Sequence, residues 1–343
     1  MSAITSFPAA VRAAFADRRA VAAVLLIAFA LLLLPLAGGN GEGELFVGTA
    51  AAQDSDGVAV LVDDGDIELT WLDAVILGLV EGITEYLPVS STGHLLVAND
   101  FLGLDDTEEA EMAADTFAIG IQAGAILAVL FLYWERIRQM LDGLLGKSDE
   151  GRQILIAVLV AFVPTVIIGL TLDEAVGDAL FGVLPIAIAW VVGGLVILAL
   201  QRANWFDRTT QELGDLTMRS AFIIGALQAI ALWPGVSRSM TVIIAGVLMG
   251  LSLRAAVEFS FLLGLLTLTA ATAFVGLKDG AEMVETFGVV NPLIGLVVAF
   301  VSAVAAVKWM VNWLNEKGFE VFGWYRLVIG VAALILLGVG VLG

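Results

Sequence analysis

The sequence predicts an all-α polytopic membrane protein built as two inverted repeats. Each repeat is a re-entrant helical hairpin followed by three transmembrane helices. Composition, spacing and charge placement predict it. The 343 residues are 60% hydrophobic with a mean hydropathy of +0.98, against about 45–50% apolar content, glycine included, in a soluble domain. Apolar runs recur near 72–103, 115–133, 153–171, 180–200, 220–251, 256–277, 291–311 and 324–342. When these runs are threaded through a bilayer, Lys and Arg collect on one side, as the positive-inside rule requires.

Residues 1–70 form a separate N-terminal segment. Arg12, Arg18 and Arg19 precede an apolar run from Ala20 to Ala37, and the small residues Thr49-Ala50-Ala51-Ala52 follow. This is the pattern of a cleaved secretory signal or of a retained anchor. Residues 38–70 then read as an exposed acidic linker outside the cell. The membrane domain is 71–343, with repeat one at 71–200 and repeat two at 220–343.

The threading places fourteen of the sixteen basic residues inside. They are the three N-terminal arginines, then Arg136, Arg138, Lys147 and Arg152, then Arg202, Arg208 and Arg219. Arg254, Lys308, Lys317 and Arg326 complete the set. The outer loops 172–179 and 278–290 keep only Lys278 against six acidic residues. Segment 72–103 must then begin and end outside, and 220–251 must begin and end inside. Each is interrupted, at Pro88 and at Pro234-Gly235, so each reads as a re-entrant hairpin. Non-helical backbone at that depth is tolerated only where protein or a cavity surrounds it. Three spans per half is odd, which inverts the second half. Glu81…Pro88-Val89-Ser90-Ser91-Thr92 matches Gln228…Pro234-Gly235-Val236-Ser237-Arg238-Ser239 with a one-residue offset after the proline. Such repeats place a site where the broken helices meet. Glu81, Glu85, Ser91 and His94 are therefore expected to face Ser237 and Arg238.

Charge and cysteine content exclude several functions. Without cysteine there is no disulfide and no thiolate metal site. A net charge of −19 without a basic patch does not suit nucleic acid. Residues 40–70 hold eight acidic and no basic residues, and 100–115 hold seven and none, the composition of a solvated acidic surface in a salt-rich habitat. No Walker loop or nucleotide fingerprint is present.

The chemistry concentrates in 79–94. Two carboxylates, four Ser/Thr hydroxyls and the only histidine, His94, interrupt an apolar run there. Glu81 and Glu85 share one helical face, and two like charges persist together when one is protonated or a cation lies between them. Arg238 falls in no loop, and a guanidinium at bilayer depth needs an anion. Its forked donors suit phosphate, and a carboxylate partner is the alternative. Helix N-termini after the two breaks and Ser90, Ser91, Ser237 and Ser239 add donors. Together these residues suit phosphoryl transfer to or from a lipid. Either Ser91 attacks with His94 as base, or His94 attacks.

Glu81-Gly82-Ile83-Thr84-Glu85-Tyr86-Leu87-Pro88-Val89-Ser90-Ser91-Thr92-Gly93-His94 and Pro234-Gly235-Val236-Ser237-Arg238-Ser239 resemble the two signatures of the undecaprenyl-diphosphate phosphatase family, of the bacitracin-resistance type. Leu248-Met249-Gly250 and Glu258-Phe259-Ser260-Phe261-Leu262-Leu263 are similar to it as well, and the resemblance covers about 72–343. It implies hydrolysis of a polyprenyl diphosphate to the monophosphate, which recycles the lipid carrier for envelope glycan synthesis. The essential residues it implies fall on Glu81, Glu85, Ser91, His94, Ser237 and Arg238. Glu81 and Glu85 would hold a divalent cation, magnesium or calcium. Ser90, Thr92, Ser237 and Ser239 would contact substrate. The implied partners are the polyprenyl diphosphate lipid, the bilayer and a second copy of the chain as a homodimer. The implied location is the plasma membrane with the site toward the outer face.

Two features depart from the family. Thr241 stands one position earlier than the family's second motif has it, and residues 1–70 have no counterpart. The acidic surface resembles that of a salt-adapted archaeal member, whose carrier would be dolichol-like. A polyprenyl-phosphate flippase is the alternative, since inverted repeats with broken helices are typical of transporters.

Overall fold

The computed structural model describes residues 69–104, 108–278 and 280–342. The expectations for the N-terminal signal or anchor and for almost all of its acidic linker lie outside these residues. The first half comprises α1 (Trp71–Thr84), α2 (Ser91–Leu102), α3 (Glu108–Leu132), α4 (Trp134–Leu144), α5 (Asp149–Leu180) and α6 (Val183–Arg202). A short α7 (Trp205–Arg208) leads to the second half. That half comprises α8 (Met218–Gln228), a 3-10 turn (Ala229–Leu232), α9 (Arg238–Leu248), α10 (Leu253–Lys278), α11 (Gly280–Phe287), α12 (Val290–Lys317) and α13 (Glu320–Gly338).

Among the described residues, six helices are long and apolar enough to cross a membrane. They are Ala114–Leu132, Asp149–Leu172, Val183–Arg202, Leu253–Lys278, Val290–Lys317 and Glu320–Gly338. The protein is thus an all-α, polytopic membrane protein. The paired helices α1/α2 and α8/α9 are shorter. At about 1.5 Å per residue each spans roughly 16–21 Å, against about 30 Å of hydrocarbon.

The start of each pair is written locally. Thr70 caps α1 in a reciprocal box with Asp73, accepting from the Asp73 amide at 3.2 Å while Asp73 accepts from the Thr70 amide at 2.9 Å. Thr217 caps α8 by accepting from the Ser220 amide at 3.1 Å. Each break contains a proline, which has no amide to donate. The residues that precede the second helix of each pair take the same uncommon backbone, Ser90 at φ 74°, ψ 100° and Ser237 at φ 76°, ψ 115°. Among the described non-glycine residues only these two and Asn204 have positive φ. This match equates Ser90 with Ser237 and Ser91 with Arg238, and makes Gly235 the extra residue behind the one-residue offset.

Packing follows the same correspondence. α1 packs on α12, and its counterpart α8 packs on α5. α3 packs on α12 as α10 does on α5, while α6 pairs with α13 and α3 with α10. The approach of α1 to α12 depends on small residues, the type of contact that packs membrane helices. A Cβ at Gly78 would strike the Gly295 carbonyl, and one at Gly82 would strike Ser302 Oγ and the Ala299 carbonyl. At the counterpart, a Cβ at Gly225 would strike Ala161 backbone.

Among the described residues, one basic residue of the threading is buried. Arg326 is not in an inner loop but inside α13, with 0% of its surface exposed. Arg238 is therefore not alone in lying away from the loops and the N-terminal flank. The reason is register: the helix begins at Glu320, six residues before Arg326, and turns that side chain onto the protein interior.

Gly82→Val would force α1 away from α12. Overpacking of this kind costs about 1–3 kcal/mol, so a lower thermal midpoint in detergent is expected, with a smaller drop for Ile83→Val on the exposed face.

Candidate active site

The site lies where the two breaks meet. Glu85 follows α1 and keeps its helical geometry, its amide bonding the Glu81 carbonyl at 2.9 Å. The one-turn relation of the two carboxylates therefore persists past the last residue of the helix. Ser91 opens α2 and Arg238 opens α9, so the first residues after the two breaks are a hydroxyl and a guanidinium.

Glu85 joins them. Ser91 Oγ donates a short hydrogen bond to Glu85 Oε2, and Arg238 Nη2 donates to Glu85 Oε1 at 2.9 Å. Arg238 is held on further sides. Its Nη1 donates to the Ser260 carbonyl at 3.2 Å, and its guanidinium lies 5.8 Å from the Tyr86 ring centroid. Gly264 leaves room for it, since a Cβ there would meet the guanidinium. Arg238 Nε has no hydrogen-bond partner, and neither do Tyr86 Oη and Ser260 Oγ. Glu85, Ser90, Ser91, Thr92, Ser237 and Arg238 share the wall of a pocket of about 110 Å³.

A larger cavity of about 620 Å³ adjoins that pocket. Ser91, Thr92 and Gln122 line both, and the larger one continues past Glu81 to Asn99, Asp100 and Asp115. Glu81 is 1% exposed, and neither of its carboxylate oxygens has a hydrogen-bond partner. Two orphaned hard oxygen acceptors beside the Glu85–Arg238 pair suit an oxygen-liking divalent cation. Glu85 has less to offer one, because each of its oxygens already accepts a bond.

The other expected residues divide. Ser237 accepts from the Met240 amide at 3.3 Å and lies 3.0 Å from Ser239 Oγ. Ser239 donates to the Leu87 carbonyl at 2.8 Å, which ties the second break to the first. Thr241 donates back to the Ser237 carbonyl at 2.9 Å, a local bond within its own helix. Ser90 and Thr92 reach the pocket wall. His94 is turned aside. Its Nδ1 lies 2.7 Å from the Ser90 carbonyl and its Nε2 2.9 Å from Tyr325 Oη, with Trp190 packed at 4.9 Å between ring centroids. The expected facing of the two halves is thus made directly by Glu85, Ser91 and Arg238, with His94 behind them.

Residues 74–332 match the family described as bacitracin resistance protein BacA. The chain belongs to this family. Among its BacA relatives, an undecaprenyl-diphosphatase of Sorangium cellulosum is 40% identical over 269 residues, covering 78% of this chain and 86% of that protein. Undecaprenyl-diphosphatase 2 of Rhodospirillum rubrum is 42% identical over 263 residues, with 77% and 93% covered. Undecaprenyl-diphosphatase 1 of Burkholderia ambifaria is 42% identical over 267 residues, with 77% and 94% covered.

Sequence reasoning missed four residues around this BacA site: Tyr86, Trp190, Tyr325 and Arg326. Only Arg326 carried a signal, a charge inside the apolar run 324–342. The aromatic three looked like ordinary apolar residues of membrane helices.

Glu85→Gln keeps the shape but removes the acceptor charge that Ser91 and Arg238 share. Loss of a positioned base costs about 10²–10⁴-fold in rate. Phosphate release by purified Glu85→Gln should fall in that range while the protein stays monodisperse in detergent.

Proposed function

We propose that the chain hydrolyses a polyprenyl diphosphate to the monophosphate and inorganic phosphate, and so recycles a lipid carrier for envelope glycan synthesis. The observation that carries this reading is the continuous Ser91–Glu85–Arg238 constellation within a chain of the BacA family. A buried hydroxyl bonded to a carboxylate, beside a guanidinium with free donors, is equipped for phosphoryl transfer by positioning and charge stabilisation. The relatives' names supply the substrate class.

In the proposed reaction the terminal phosphate sits in the small pocket against Arg238. Arg238 Nε and its remaining N–H groups bond the phosphoryl oxygens, with Ser90, Thr92 and Ser237 at the wall. Ser91 Oγ attacks the terminal phosphorus as its proton passes to Glu85 Oε2. The new Oγ–P bond forms as the bridging P–O bond breaks, and the polyprenyl monophosphate leaves with the electron pair. Glu85 releases that proton to solvent. Water then attacks the phosphoserine, and Glu85 takes a proton from it and delivers one to Ser91 Oγ as inorganic phosphate departs. His94 orients the first turn of α2 through the Ser90 carbonyl. Glu81, with Glu85 beside it, is the proposed holder of a magnesium or calcium ion. When bound, the ion supplies charge neutralisation for the diphosphate.

The proposed membrane arrangement is two re-entrant hairpins in inverted repeats, with the 620 Å³ cavity toward the outer face. The acidic residues Asp100 and Asp115 that line it and the threading that puts the basic loops inside support that orientation. A flippase would need a second opening toward the basic end. At that end a cavity of about 840 Å³ is lined by Tyr133, Arg136 and Arg254, and the edge-to-face series Tyr133–Phe261–Tyr86, at 5.3 and 5.4 Å between centroids, runs from its wall to Arg238. Undecaprenyl is the carrier that the relatives' names support; a dolichol-like carrier is the alternative, for a salt-adapted member.

Purified protein in detergent, supplied with undecaprenyl or dolichyl-like diphosphate and magnesium or calcium, should release phosphate, and excess chelator should stop it. Absence of release from either lipid would sink the phosphatase reading. Arg238→Lys keeps the charge but loses the fork. It should weaken transition-state stabilisation by about 2.7–4 kcal/mol, as loss of an oxyanion donor does. A folded Arg238→Lys enzyme with normal turnover would leave Arg238 as only the ion-pair partner of Glu85.

A further inference from the structure

Arg326 is used by no step above, yet it is a fully buried charge (0% exposed) in an apolar helix. Among the described residues it forms no ion pair with a carboxylate. Its guanidinium instead donates to three backbone carbonyls. Nη1 bonds the Pro88 carbonyl at 3.2 Å, and Nη2 bonds those of Gly235 at 2.8 Å and Ala189 at 2.9 Å. Pro88 stands three residues before Ser91, and Gly235 three residues before Arg238. One side chain therefore grips both breaks, each three residues before its next helix, and α6 besides.

We infer that Arg326 is a positioning residue for the reaction, holding the two breaks in register so that Ser91 and Arg238 meet one phosphate together. It touches neither substrate nor the reacting atoms. The inference rests on the phosphatase reading of the site. A charge at bilayer depth is expensive, and three buried carbonyls that need a donor offset that cost. A planar fork with donors on separate nitrogens suits carbonyls on separate segments and ties those segments to one another. The neighbouring Tyr325 adds to the same end by bonding His94 Nε2 at 2.9 Å. Room for the guanidinium comes from Gly193, where a Cβ would meet Arg326 Nη2, Cζ and Nε.

The test uses purified full-length Arg326→Met, Arg326→Lys and Gly193→Ala, each checked for monodispersity and thermal midpoint. A misplacement near 1 Å costs about 10²-fold, so kcat of Arg326→Met should fall by about that factor. KM should stay within about threefold, the pattern of an interaction realised only in the transition state. Arg326→Lys should recover part of the loss. Gly193→Ala, which displaces the guanidinium without removing it, should lose kcat in the same direction. A folded Arg326→Met or Arg326→Lys with wild-type kcat overturns the inference. If Arg326→Met does not fold, wild-type kcat in both Arg326→Lys and Gly193→Ala overturns it.

A second readout needs no turnover and so separates this inference from the phosphatase reading. The chain has no cysteine, and Thr92 and Ala231 line the reaction pocket from opposite breaks. A Thr92→Cys/Ala231→Cys pair should be joined by a short thiol-specific cross-linker several-fold more slowly when Arg326→Lys or Gly193→Ala is added. Unchanged cross-linking rates in both would mean that Arg326 does not set the distance between the breaks.

Discussion

The site depends on one constraint: a chain broken inside an apolar protein must still have its carbonyls satisfied. At the first break three consecutive carbonyls are served by side chains from three other helices. Leu87 accepts from Ser239 of α9, Pro88 from Arg326 of α13, and Val89 from Trp190 Nε1 of α6 at 2.9 Å. The second break is served more sparsely. Gly235 accepts from Arg326, while Trp233 Nε1 reaches out to the Pro185 carbonyl at 3.2 Å. The bonds to the break carbonyls stand in for missing helical ones, and all of them tie the breaks to neighbouring helices. The reactive ends of α2 and α9 are thus positioned by the repair of the broken backbone.

That repair also accounts for the strained backbone at Ser90 and Ser237. Positive φ at a non-glycine residue costs on the order of 1–3 kcal/mol and persists where surroundings over-determine it. Ser90 and Ser237 are held in this way, and the same backbone at both places turns the next side chain into the pocket. One geometry thereby delivers opposite chemistry, a hydroxyl at Ser91 and a guanidinium at Arg238. At Ser90 and Ser237 the two breaks are alike in backbone, and the side chains that follow are complementary in charge. Glu85 is the element that only the first half supplies, and it bonds both partners.

The positions of the six long helices were legible because apolar runs and loop charges are properties of the sequence itself. The pairing of the two breaks was legible from Pro88 and Pro234 with their serines. What could not be read was direction. His94 stands three residues after Ser91, close enough in sequence to act on it, yet on α2 its ring turns toward Trp190 and Tyr325. Nothing in the local sequence says which neighbour the ring will find, because those neighbours lie roughly a hundred residues or more away. Arg326 was misread for a related reason. Charge bookkeeping assigns every arginine near a segment end to a loop, and only helix register and tertiary packing show that this one points inward.

The same distinction between charge count and placement decides what Glu81 and Glu85 do. As a pair of carboxylates they look interchangeable, and like charges this close in a low-dielectric site oppose each other. The structure removes the equivalence. Glu85 is matched by Arg238 and committed through both oxygens to Arg238 and Ser91. Glu81 has both oxygens buried and unbonded, facing the larger cavity. A buried carboxylate without partners carries the full desolvation cost of its polar atoms. Protonation or a bound cation relieves it, and a cation does so where the diphosphate would bring compensating negative charge. In the proposed reaction Glu85 would therefore handle the proton and Glu81 would meet the cation, a division that rests on which oxygens already accept a bond.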